Sequence, residues 1–311
     1  MDNLDAIQIN FNPDQLLFLN ICLAFLMFGV ALDIRRSDFE YVIRNPKAPL
    51  IGLCSQLILL PTLTITLIYL LEPPISLAIG MVLLSVCPGG NVSNFMVHLA
   101  RANAALSVSL TSIVTLSSII VTPLSFGLWS SLIPGVENFA QEIAVNPADM
   151  FKTIFTLIVI PLSLGMGLNH YYPAFTDRIR KPVKWFSILI FLGFVVAASL
   201  NNLDNIINYL GVVFSIVMIH NGCSFLMGYH FARFNGLPLS DTRAIAIETG
   251  IQNSGLALII IFNFFDGQGG MAMIAAWWGI WHLVVGFFLA TLWSKQPNRA
   301  WSWRSLNLTK S

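Results

Sequence analysis

The sequence predicts an all-α polytopic membrane protein, and three observations predict it. Hydrophobic residues make up 56% of the 311 and charged residues only 10%, whereas an ordinary soluble domain carries about 25% charged residues. So few charges cannot cover a soluble globule of 34.4 kDa with mean hydropathy +0.75. The apolar stretches are long and uninterrupted, unlike the alternating stretches of about 10 residues in a membrane β-strand. The cations are also distributed unevenly, falling in every second loop. The net charge of +1 gives no reason to expect a nucleic-acid partner. Lipid is expected around the chain, and no protein partner is predicted.

A helix that crosses the hydrocarbon core needs about 20 apolar residues. Nine candidates follow in order, near 15–33, 49–71, 75–101, 104–129, 151–170, 183–200, 206–231, 239–265 and 270–294. The alternate loops and the C-terminal tail hold 15 of the 16 lysines and arginines. Arg35, Arg36, Arg44 and Lys47 lie in the first loop and Arg101 in the third. Arg178, Arg180, Lys181 and Lys184 lie in the fifth, and Arg233 and Arg243 in the seventh. Lys295, Arg299, Arg304 and Lys310 form the tail, so Lys152 alone is on the opposite side. Positive loops stay in the cytoplasm, which predicts an outside N-terminus and a cytoplasmic C-terminus. Trp129, Tyr171, Tyr172, Trp185 and Trp293 sit at segment ends, as interfacial anchors do. The N-terminal residues carry aspartates and no basic cluster, so neither a signal nor a transit peptide is expected. The reading is a cell-membrane protein, with a bacterial inner membrane as the expected location. Cys22, Cys54, Cys87 and Cys223 all fall inside apolar segments and read as small core residues, not disulfides or metal ligands.

Two of the nine segments are interrupted. Pro88-Gly89-Gly90 occupies the centre of the third, followed by Asn91, Ser93 and Asn94. Proline removes a donor and clashes with the preceding turn, and two glycines add backbone freedom. The eighth carries Glu248-Thr249-Gly250-Ile251-Gln252-Asn253-Ser254-Gly255 at its centre. Segments 1 to 4 and 6 to 9 form equal blocks around one helix, and the interrupted segment is third in each. The blocks start from opposite sides, so they predict inverted-topology repeats. Paired interrupted helices in such halves point to a transporter's midplane site.

Glu248 is the one acid deep inside a span, about nine residues from the end of its segment, or roughly 14 Å. A charged carboxylate there costs about 2.5–3.5 kcal/mol on insertion scales. No Lys or Arg is at that depth, so the charge is offset by a proton or by a metal cation. Oxygen donors nearby favour a hard cation: Ser93 and Asn94 in segment 3, Ser107 and Thr111 at i and i+4 in segment 4, and Gln56 in segment 2. Each alone reads as a side chain bonded to its own helix or to a neighbour. His98, near the end of segment 3, reads as structural, His220 and Asn221 as helix-to-helix bonding as readily as function, and Trp277, Trp278 and Trp281 as packing or a cavity wall. A helix start carries partial positive charge and free N–H groups. The half-helices beginning near Asn91 and Asn253 therefore suit an anion, to which both side chains add amide donors. Intramembrane catalysis is not expected, because neither GxSxG nor HExxH occurs. A channel is the remote alternative, without a filter motif to support it.

The run Cys87 to Asn94, then Ser107 and Thr111, then Glu248 to Gly255, resembles the bile acid:sodium symporter family over nearly the whole chain. The resemblance implies two broken helices crossing at the membrane centre, in a nine-span form. It implies one Na+ at Ser93, Asn94, Ser107, Thr111 and Glu248. A second Na+ is implied at Gln56, Glu248 and Gln252 with the carbonyls of Thr249 and Ile251. Substrate is implied beside the crossing, near Asn91, Val92, Asn253 and His282. Bacterial members often carry Asn after that histidine; Leu283 stands here and implies a different or less polar contact. The resemblance also divides one transmembrane domain, 1–311, into a panel (15–33, 151–170, 183–200) and a core of the other six segments. The function implied is sodium-coupled import of an organic anion, bile-acid-like or a small carboxylate such as pantoate or a keto acid. The alternative is proton coupling with Glu248 as the carrier.

Overall fold

The computed structural model describes residue 5 and residues 13–34, 36–137, 147–200 and 203–296. Helix is their regular structure, with no strand among them. Helix α1 is Pro13–Ala31 and α2 is a short amphipathic helix, Arg36–Arg44. Helix α3 runs over Lys47–Leu71 with a π-helical turn at Ser55–Leu59. The first interrupted segment is α4, Ile75–Val86, and α5, Asn91–Leu99. Helices α6 (Ala104–Ser130), α7 (Pro147–Tyr171), α8 (Pro173–Leu200) and α9 (Leu203–Phe234) follow. The second interrupted segment is α10, Leu239–Gly250, and α11, Ser254–Phe264, and α12 is Gly269–Ser294.

Each of the nine expected stretches coincides with a helix or a broken helix, and α2 and the π turn are additions. Among the described residues, α3, α6, the Tyr209–Phe234 part of α9, and α12 are long and apolar enough to cross a membrane by themselves. Helices α4 and α11 have only 12 and 11 residues, too few to cross alone. Leu70, Leu124, Leu128 and Phe288 are exposed on α3, α6 and α12. Apolar faces of this extent suit lipid contact and not water. The chain is a multi-pass membrane protein.

The broken helices lie antiparallel. Helices α4 and α11 share one hydrophobic cluster with the first half of α12, and α5 and α10 share a second with Ala290 near its other end. Between these clusters the two breaks meet. Gly89 and Gln252 form an isolated antiparallel bridge, and the Asn253 N–H donates to the Pro88 carbonyl at 2.8 Å. The two breaks are thus in contact, with a buried polar layer between two apolar ones.

A second block forms around α1, which packs on α7 and α8. Arg180 pairs with Asp33 at 3.1 Å and donates to the Leu32 carbonyl, and Asn169 donates to the Ile34 carbonyl at 3.0 Å. At Gly165 a β-carbon would lie 2.5 Å from Ala31 Cβ and 2.8 Å from the Phe28 carbonyl oxygen. Only glycine permits this approach. Gly165→Val is expected to separate α1 from α7 and lower stability by about 1–3 kcal/mol, read as a fall in melting temperature in detergent.

Arg243 corrects the loop reading. It lies inside α10, 2% exposed, and its guanidinium reaches the Trp293 carbonyl at 3.3 Å and the Gln296 side chain at 3.2 Å. A cation there binds the free carbonyls at the end of α12 and lies over the Trp293 ring at 5.7 Å. Arg35, Arg299, Arg304 and Lys310 lie outside the described residues. All four cysteines are free thiols; Cys22 and Cys87 are buried, and Cys54 and Cys223 partly so.

Candidate functional site

Glu248 is fully buried in the last turn of α10. Three hydroxyls converge on its carboxylate. Ser93, in the first turn of α5, reaches Oε1 at 2.6 Å. Ser107 of α6 also reaches Oε1. Thr111, one turn further along α6, reaches Oε2 at 2.9 Å. The i, i+4 spacing sets the last two on one face. Asn94 joins through Oδ1, which lies 2.7 Å from Ser107 Oγ and 3.3 Å from Thr111 Oγ1. The five residues implied for a first cation are therefore brought together from α5, α6 and α10.

The protons in this cluster do not match the contacts. Ser93 Oγ also lies 2.7 Å from the Gly90 carbonyl. Three hydroxyls therefore make six oxygen–oxygen contacts of hydrogen-bond length with acceptors. A hydroxyl has one proton to give. Three hydroxyl protons face four acceptor oxygens, the Gly90 carbonyl, Asn94 Oδ1 and the two of Glu248. The cluster gathers oxygens of two serines, a threonine, an asparagine, a backbone carbonyl and a carboxylate, the kind of donor that hard cations take.

Across the crossing lies a second group of oxygens. From the point where a β-carbon of Gly89 would stand, Glu248 Oε2 is 3.2 Å away, the Ile251 carbonyl oxygen 3.6 Å and Gln56 Oε1 3.7 Å. Gln56 is 3% exposed, and neither its oxygen nor its nitrogen has a hydrogen-bond partner. A buried unpaired amide costs about 1–3 kcal/mol, so an unpaired Oε1 aimed beside a carboxylate suits a ligand. Gln56 is carried on the π turn of α3, a distortion frequent at functional sites and not legible in the sequence. Gln252 turns its amide nitrogen to the Thr249 carbonyl at 2.9 Å, and the Thr249 hydroxyl bonds Ser55 Oγ at 2.8 Å. The structure thus gathers Gln56, Glu248 and the Ile251 carbonyl. It gives the Thr249 carbonyl one protein donor already.

The residues expected near a substrate divide differently. Asn91 opens α5 behind Gly90, which offers no side-chain cap. Val92 packs, half-buried, against the apolar cluster around Ile251. Asn253 caps α11 by accepting from the Leu256 N–H at 3.0 Å, and the Ser254 N–H is taken by the Gln252 carbonyl. At both helix starts one early N–H is thus taken internally, Ser254 by the Gln252 carbonyl and Ser93 by the Gly90 carbonyl; the side chain of Asn91 lies outside the described residues. His282 is 5% exposed and its Nδ1 has no partner. It lies between Gly279, where α12 meets Ser254, and Gly286, where it meets Ile251 and Met96. That face of α12 looks onto the crossing.

The reading of sequence also left His220 and Asn221 undecided. His220 bonds Thr64 of α3 at 2.8 Å and sets its ring edge-on to Trp278 at 4.8 Å. Asn221 donates to the Gly250 carbonyl at 2.7 Å. His98 closes α5, in the last turn of that short helix. The indole nitrogens of Trp277, Trp278 and Trp281 are buried without partners. Among the described residues no cluster of three or more His, Cys, Asp or Glu forms; the donors that converge are oxygens of neutral side chains, backbone and one carboxylate.

The family model described as the sodium bile acid symporter family matches residues 20–209. The chain belongs to this family. Within it, an uncharacterized sodium-dependent transporter of Bacillus subtilis (strain 168), YocS, is 32% identical over 283 residues, covering 91% of this chain and 84% of that protein. A probable sodium/metabolite cotransporter, BASS1, chloroplastic, of Oryza sativa subsp. japonica is 30% identical over 276 residues, covering 88% of this chain and 65% of that protein. The corresponding Arabidopsis thaliana protein is 28% identical, with 66% of its length covered. The chain thus spans about two thirds of these plant relatives. The sodium bile acid symporter family groups the chain with sodium-dependent transporters and not with enzymes.

Proposed function

We propose that the chain is a sodium-coupled symporter that imports a small organic anion by alternating access, with two Na+ per substrate. The acceptor-rich cluster around Glu248 is the observation that carries this reading. Four oxygen-bearing side chains of α5 and α6 converge on one buried carboxylate, a donor set that suits a hard cation. The first Na+ is held by Ser93, Asn94, Ser107, Thr111 and Glu248. The second is held by Gln56, Glu248, Gln252 and the carbonyls of Thr249 and Ile251. Each ion draws one oxygen-rich face of the crossing together and orders the unwound backbone. The anion sits against the start of α5 near Asn91 and Val92, with Asn253 and His282 flanking it. Among the described residues no buried Arg lies beside the crossing, which suits a carboxylate better than a tightly held phosphate.

The block of α1, α7 and α8 acts as a panel against which the inverted repeats of the core move. Asn20 of α1 and Asn263 of α11 exchange two amide hydrogen bonds, at 3.2 and 2.9 Å, across that boundary. The N-terminus is outside, the C-terminus cytoplasmic, and the location a bacterial inner membrane. Energetically, a tenfold sodium gradient supplies about 1.4 kcal/mol per ion. One net charge moved through 100 mV adds about 2.3 kcal/mol. Two ions with a monoanion supply about 5 kcal/mol and carry current; one ion supplies about 1.4 and carries none.

The test needs no substrate. Melting temperature is recorded in detergent during a sodium titration, with potassium at matched ionic strength. A ligand that binds only the folded state stabilises it by RT ln(1 + [L]/Kd), about 2.7 kcal/mol at a hundred times Kd. A saturable rise with sodium and not potassium is expected. An identical rise with both ions, together with uptake driven by a pH gradient alone, would move the assignment to proton coupling.

A further inference from the structure

The end of α10 leaves carbonyls without helical partners, and their fates differ. The Thr249 carbonyl accepts from Gln252 Nε2 at 2.9 Å. The Gly250 carbonyl accepts from Asn221 Nδ2 of α9 at 2.7 Å, in a fully buried contact. The next residue, Ile251, is extended, with φ −109° and ψ 108°. Successive carbonyls on extended backbone point to opposite sides. A Gly250 carbonyl turned toward α9 therefore turns the Ile251 carbonyl away from α9, toward Gly89. There it stands with Glu248 Oε2 and Gln56 Oε1, each within 4 Å of one point.

We propose that Asn221 is a positioning residue for the cation site: by holding the Gly250 carbonyl, it fixes the direction in which the Ile251 carbonyl is offered to the ion. This inference rests on the sodium reading above and assigns no ligand to Asn221 itself. Two features of the neighbourhood hold Asn221 in place. Its neighbour His220 is tied to Thr64 of α3. One and two turns further on, Phe225 covers Gly250, and Gly228 packs so closely on Thr249 that a β-carbon there would lie 2.9 Å from Oγ1. The stripe 221, 225 and 228 is one face of α9 pressed on the end of α10. A rotation of the Gly250–Ile251 peptide is thereby resisted by a hydrogen bond on one side and by packing on the other.

The other break supplies an internal control. There Val86 ends α4, and its freed carbonyl is taken by Thr122 Oγ1 of α6 at 2.9 Å. Cys87 is again extended, with φ −69° and ψ 150°. Both are buried side-chain bonds to a carbonyl freed at the end of a half-helix, one from a hydroxyl and one from an amide, but no carbonyl of this break is among the proposed ligands. A general role in stiffening the breaks would make Thr122 and Asn221 equivalent. A positioning role separates them.

The experiment is the sodium titration of melting temperature on the full chain, for wild type, Asn221→Leu and Thr122→Val, with Asn221→Ser as the second variant should Leu fail to fold. Outer partners of ion ligands typically cost about 10–100-fold in metal affinity when removed. Half-saturating sodium is expected to rise at least about tenfold in the Asn221 variants and to stay near wild type in Thr122→Val, even where both variants melt lower without sodium. Unchanged half-saturation in a folded Asn221 variant would overturn the proposal. So would an equal rise in Thr122→Val, which would assign the effect to general rigidity. A wild type with no sodium-specific response is the separate result that overturns the sodium reading, and with it the role given to Asn221.

Discussion

Glu248→Gln is expected to abolish sodium-driven uptake in proteoliposomes and to flatten the sodium titration of melting temperature, while making the sodium-free protein more stable. The substitution keeps shape and one acceptor oxygen but removes the charge. In wild type that charge is buried and met by three hydroxyls, at a depth where a charged carboxylate costs about 2.5–3.5 kcal/mol. Neutralisation removes that cost and also the principal attraction for the ion. The two effects have opposite signs in the presence and absence of sodium, so a single melting series separates them. Simple misfolding would lower both curves. Sodium-driven uptake at wild-type rates in the variant would remove Glu248 from the mechanism.

Gly89→Ala is expected to weaken sodium binding at least about tenfold, comparable to removing a supporting partner of an ion ligand, whereas Gly90→Ala one residue on is expected to be tolerated. The contrast is geometric. A methyl at Gly89 would sit 3.2 Å from Glu248 Oε2 and project among the oxygens of Glu248, Ile251 and Gln56. At Gly90 the nearest atoms are 3.8 and 4.0 Å away, and its φ of −97° suits any residue. Uptake currents in proteoliposomes at fixed voltage read the second ion directly: loss of current per substrate in Gly89→Ala, with current retained in Gly90→Ala, is the expected pair. Equal loss in both variants would trace the effect to backbone freedom of the break and not to the space beside Gly89.

Much of this was open to the linear chain because membranes impose severe rules. Every backbone group in the bilayer needs an internal partner, so helix follows from apolar length alone. A proline beside two glycines at 88–90, and a lone carboxylate at 248, violate those rules visibly. The resemblance carried by Cys87–Asn94 and Glu248–Gly255 then implied which hydroxyls would join Glu248, and Ser93, Ser107 and Thr111 do so. Arg243 was misplaced because a charge near a segment end reads as loop, whereas the end of α12 and the Trp293 ring offer it buried partners. The oxygen of Asn253 caps α11, as an Asn before a helix does, a use that the expected amide donation does not include.

Composition and order therefore determined the class of the protein, its helical apolar segments, the two breaks and the buried acid beside them. Those features are local: each follows from the cost of one group in hydrocarbon or from the conformational limits of one residue. The tertiary structure alone decided the pairing. That α4 meets α11 and α5 meets α10, that a π turn brings Gln56 to the Ile251 carbonyl, and that Asn221 takes the Gly250 carbonyl are choices of partner. A freed carbonyl in the membrane must find some donor, but which donor is fixed by the packing of helices far apart in sequence, and no single segment encodes it.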